Sequence, residues 1–278
     1  MEKKETILSK IVKFLFDKPL LGVFVITLII IEVIPALLAP VGRFNEELFL
    51  ITYILCSLII YIIFRIKNKD RLPKLDFTKN FLQGMLLTLP VWGLFGVTNF
   101  ISKVTRNGGI NFNAYHLFAI ICAALSAGIN EELGTRALPI DNIVRAEGEV
   151  KNIKRYVILT ALIFGAVHIF NVLGGASLSA TVGQILYAFG FGVFFAAVYY
   201  RTGNILPCII CHFMVDFSGG FDPAYNPETA GRLLLNTEQV PIMKVVTQMM
   251  IIALPFALYG LFLIRKKKHD DIVKVWSK

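Results

Sequence analysis

Three short polar runs interrupt an otherwise apolar chain, and each carries side chains capable of acid–base chemistry. The run Asn130-Glu131-Glu132-Leu133-Gly134-Thr135-Arg136 holds two carboxylates and a guanidinium. On a helix Glu132 and Arg136 stand four residues apart and pair on one face. Glu131 is turned about 100° away and keeps a free carboxylate. The second run, Phe164-Gly165-Ala166-Val167-His168, places an imidazole among apolar neighbours, with Asn171 three residues on. In the third, His212-Phe213-Met214-Val215-Asp216, imidazole and carboxyl share a helix face. A free carboxylate beside an imidazole can hold a water and take its proton. A second His next to a polar residue can donate to a developing oxyanion. Alternatively two His and a carboxylate can bind a metal that activates the water. Both routes lead to amide or ester hydrolysis. Each run also has an inert reading: a snorkelling helix end, a satisfied core His, or a local His–Asp pair.

These side chains must be held by membrane-spanning helices. Of 278 residues 56% are hydrophobic and 17% charged, with a mean hydropathy of +0.67. Soluble domains are less apolar and more charged. Disorder is excluded by this composition, and four Cys are too few for a disulfide scaffold. Apolar blocks long enough to span lie near 20–39, 48–64, 81–101, 115–135, 156–173, 181–200, 204–219 and 241–264. The first is longer than a signal-peptide core and ends without an A-x-A site. Of the 28 basic residues, 23 fall in the N-terminal tail, alternate connections and the C-terminal tail, counting Arg136 at the edge of one connection. Cytoplasmic segments collect Lys and Arg. The expectation is an all-α polytopic protein of about eight transmembrane helices, residues 1–278 forming one integral membrane domain. It would sit in the cell (plasma) membrane of a bacterium, with both termini cytoplasmic. The net charge of +9 is then a topology signal, and no nucleic-acid partner is expected. At 1.5 Å per residue, Glu131, His212 and His168 lie about 10, 12 and 18 Å from the inner helix ends. All three fall in the cytoplasmic half and can face one cavity built by spans four to seven. Glu32, beside Pro35 in the first span, has no assigned role.

Several decoys drop out. Cys208-Ile209-Ile210-Cys211-His212 matches the haem-attachment spacing, but it lies inside a span near the inner face, where Cys serves as a small hydrophobe. There is no H-E-x-x-H zincin motif and no glycine-rich phosphate loop. A proton-relay transporter would need ionisable groups toward the outer side as well, and these spans have none comparable.

The series EExxxR, FxxxH and HxxxD on successive helices resembles the CPBP family of intramembrane proteases. That family includes the type II CAAX prenyl endopeptidases and the Abi proteins linked to bacteriocin self-immunity. The resemblance covers a catalytic core at roughly 115–220. It implies an eight-helix fold with a conical cavity open to the cytoplasmic leaflet. It implies that Glu131 and His168 activate the water, that His212 and Asp216 face the oxyanion, and that Glu132, Arg136 and Phe164 shape the site. Two positions depart from the family pattern. Ala137 stands where Gly usually follows the Arg, and Asp216 stands where the prenyl endopeptidases have Asn. A carboxylate at 216 suits orienting His212 or binding metal. The implied cofactor is therefore either a divalent metal such as zinc, held by His168, His212, Glu131 and Asp216, or none. The implied substrate is a membrane-embedded or lipidated peptide or protein, in contact with the lipid bilayer. The alternative is a non-proteolytic immunity or regulatory protein that acts by binding.

Overall fold

The computed structural model describes residues 17–69, 77–173, 175–224 and 241–277, with residues 10 and 14. Among these residues every regular element is helical. The helices are α1 (Pro19–Gly42), α2 (Glu46–Asn68), α3 (Phe81–Arg106), α4 (Ala114–Glu147), α5 (Ile153–Val172), α6 (Leu178–Thr202), α7 (Leu206–Gly220), α8 (Ile242–Leu263) and α9 (His269–Trp276). Seven, α1 to α6 and α8, are long and apolar enough to cross a membrane. The expected span at 204–219 is the 15-residue α7, about 22 Å long and short of a bilayer core of about 30 Å. Side chains cap several starts. Asn45, Asn113 and Ser177 accept from the backbone N–H groups of Leu48, His116 and Ala180, each meeting a donor left over at a helix N-terminus.

Prolines shape the long helices. Pro139 has no N–H to offer the carbonyl of Thr135, yet α4 continues through it. The wide turn Leu133–Ala137 absorbs the missing bond. The same device recurs at Ile29–Val33, just before Pro35, and a further wide turn, Trp92–Val97, follows Pro90. Breaking α4 near 135 was therefore the wrong expectation. The helix runs on to Glu147, and Leu138–Val144 are buried, with this half packed on α1. Glu131 thus lies about 24 Å from the end of α4 instead of about 10 Å. Arg136 is fully buried in the protein and is no boundary charge. The basic asymmetry keeps its direction without it.

The core centres on α6. Its run from Phe191 to Tyr200 is buried, with α5 and α8 packed along it. Asp141 of α4 accepts from Tyr199 of α6 at 2.6 Å and from Arg65 of α2 at 3.1 Å, so a buried carboxylate ties three helices. The C-terminal stretch, expected as a charged tail, folds back as α9. Trp276 Nε1 donates to the Tyr200 carbonyl at 2.9 Å, and its ring packs on Tyr199 and Tyr200.

Candidate active site

Glu131 is the last residue but one of the regular part of α4, just before the wide turn at 133–137. Here α4 and α7 approach closely. A Cβ on Gly128 would stand 3.1 Å from the carbonyl oxygen of Ile209 and 3.3 Å from the nitrogen of Phe213. A side chain at position 128 would make the α7 backbone give way, so glycine suits this approach, which brings the Glu131–Glu132 pair against His212. His168 begins the 3-10 turn that closes α5.

Glu131, Phe164, His168, His212 and Asp216 line one cavity of about 100 Å³. His212 Nε2 is 3.7 Å from Glu131 Oε2 and 3.4 Å from Asp216 Oδ2. His212 Nδ1 donates to Glu132 Oε1 at 2.9 Å. That carboxylate oxygen also accepts from Arg136 Nη1 at 3.0 Å, and both side chains are fully buried. The guanidinium lies over the Phe164 ring, with Cζ 4.0 Å from the centroid, an attraction of about 2 kcal/mol for a desolvated pair. Thr135 Oγ1 accepts from Arg136 and donates to the Glu131 carbonyl. Behind the cavity, then, stands a chain Arg136–Glu132–His212 that fixes the imidazole plane. Phe195 stacks on the other ring face, 5.6 Å away.

The other imidazole is fixed from its own helix. His168 Nδ1 donates to the Phe164 carbonyl at 2.8 Å. Its Nε2 therefore carries the lone pair and is the ring atom left for the cavity. Glu131 is part-exposed to the cavity while Glu132 is sealed behind it. The two adjacent carboxylates thus occupy different environments.

Glu131, Glu132, Arg136, Phe164, His168, His212 and Asp216 meet at this site, but one link was missed. His212 was paired with Asp216 and Glu132 with Arg136. In the structure Glu132 serves both His212 and Arg136, a contact across 80 residues that no local spacing encodes. The α6 wall was also missed. Gln184, Tyr187, Ala188, Phe191 and Phe195 line the cavity, and their spacing of three, four and seven residues is a helical stripe visible in the sequence. Cys208 and Cys211 are buried and free, with Cys208 against the Phe195 carbonyl.

Among the described residues no three His, Cys, Asp or Glu side chains are disposed to hold one ion.

Residues 113–218 match the family model described as type II CAAX prenyl endopeptidase Rce1-like. These residues resemble a CAAX-endopeptidase-type domain. The domain contains the whole of α7 except its last two residues, and all three polar runs. Comparison with curated proteins and with solved structures gave no match. The CAAX-endopeptidase match covers the four helices that build the cavity, α4 to α7, and leaves α1 to α3 and α8 outside it.

Proposed function

We propose that the chain is an intramembrane endopeptidase that hydrolyses a peptide bond in a membrane-embedded or lipidated substrate using protein groups alone. The supporting observation is that Glu131, His168 and His212, from three different helices, line one small cavity. A water held by Glu131 and by His168 Nε2 attacks the scissile carbonyl carbon as its proton passes to Glu131. His212 Nε2–H donates to the oxyanion that forms. The proton on Glu131 then goes to the amide nitrogen as the carbon–nitrogen bond breaks, releasing the amine and a carboxylic acid, which loses its proton to water as it leaves. Glu132 and Arg136 keep the His212 ring in position throughout, as a carboxylate behind an imidazole does in other hydrolases. Asp216, 3.4 Å from that same His212 Nε2, orients the ring until the oxyanion takes its N–H, a role that suits a carboxylate where the prenyl endopeptidases have an amide. We place the protein in the bacterial cell membrane with both termini cytoplasmic, on the strength of the basic asymmetry; this requires the short α7 to complete an eighth crossing.

The test is cleavage of fluorogenic membrane peptides, prenylated and unprenylated, by protein purified in detergent. Glu131→Ala and His168→Ala should each lower the rate by about 10²–10⁴ while the protein still inserts. Wild-type rates from both variants would contradict the mechanism and favour a contact-acting immunity protein. Treatment with chelator should leave the wild-type rate unchanged. Loss of activity that zinc restores would contradict the metal-free reading alone.

A further inference from the structure

One polar pair at the cavity has no part in that chemistry. In a 3-10 turn side chains three residues apart eclipse one another. Asn171 therefore lies directly over His168 within the turn His168–Val172. Its Nδ2 donates to Gln184 Oε1 at 2.7 Å, and Gln184 itself lines the cavity. Both residues are exposed, and the hydrogen bond sets Asn171 beside the cavity-lining Gln184. An amide pair joined by one hydrogen bond keeps half its capacity. Gln184 retains its NH₂ donors and Asn171 its carbonyl acceptor. No protein group among the described residues takes either. One donor and one acceptor side by side match the C=O and N–H that an extended peptide presents along its edge.

We propose that Asn171 and Gln184 form a subsite that grips the main chain of the substrate peptide next to the scissile bond. This rests on the hydrolase reading and extends it. The substrate is a peptide in extended form, recognised there by its backbone and not by its side chains. In a helical substrate these groups are occupied by intrahelical bonds, so that segment must unwind before it binds. The pair sits one turn above His168, so the gripped peptide unit lies within a residue or two of the cleaved one. Sequence preference at that position is accordingly weak.

The experiment uses the full-length protein in detergent and a fluorogenic peptide that the wild type cleaves. A set of analogues carries one N-methylated backbone nitrogen each, flanking the cleaved bond. For the wild type, one of these methylations should raise KM about tenfold, the cost of one lost hydrogen bond. For Asn171→Ala the same methylation should cost nothing, because its acceptor is already gone. Gln184→Glu, which keeps size and removes the donor, should raise KM five- to tenfold with kcat changed less than twofold. A merely structural link between α5 and α6 would lower thermal stability and leave the methylation penalty in place. That persistence, or unchanged KM in both variants, overturns the subsite. If Glu131→Ala cleaves as the wild type does, the hydrolase reading falls and the subsite with it.

Discussion

At the scale of single residues, the two adjacent carboxylates have opposite duties set by where their helix faces point. Glu132 is sealed with Arg136 and holds His212, whereas Glu131 meets the cavity. Removing one partner of a buried ion pair strands the other charge. Glu132→Ala should therefore cost about 3–5 kcal/mol of stability, seen as a large fall in melting temperature in detergent. Glu132→Gln keeps the shape and an acceptor for His212 but loses the charge. It should fold and lower kcat by about 10–100-fold, as expected for a group that orients another. A Glu132→Gln protein with full activity would show that His212 needs no carboxylate behind it. The division of labour between residues 131 and 132 could be read from helical spacing, because 100° separates their faces. The tie from Glu132 to His212 could not, because it depends on how α4 meets α7.

At the scale of elements, the site depends on close helix contacts and on proline-linked turns. Gly128 lets α4 and α7 touch through backbone atoms, which cannot rotate aside. Gly128→Val should push the helices apart and reduce kcat by at least tenfold, the misplacement being felt at His212. Activity assays alongside a thermal melt check this, and unchanged kcat would mean that the contact has slack. Eight apolar segments are plain in the sequence because lipid requires about 20 apolar residues per crossing. The end of α4 was not plain, since Pro139 reads as a stop unless the turn before it can widen. The cavity-facing stripe of α6 was written in the sequence too, but its Phe and Ala residues look like any packed helix.

At the scale of the whole molecule, α6 is the post against which α5 and α8 pack most extensively, and α9 clasps its end. Trp276→Ala removes a buried ring and its hydrogen bond to Tyr200, and should cost about 3–5 kcal/mol, measured as a lowered melting temperature with kcat retained. The basic asymmetry further predicts that a cysteine placed at Lys267 is reached by an impermeant thiol reagent only after the membrane is opened. One placed at Ser102 is reached from outside in intact cells. The reverse pattern would invert the topology.

The central claim is that an acid from α4 and an imidazole from α5 act on a single water. A double-substitution cycle tests it most directly, by measuring kcat/KM for Glu131→Ala, His168→Ala and the combined variant. Groups that serve one step as a unit are not additive. The combined variant should be no slower than the slower single variant, within a factor of about three. Losses that multiply would mean that the two side chains act independently, and the shared water would have to be abandoned.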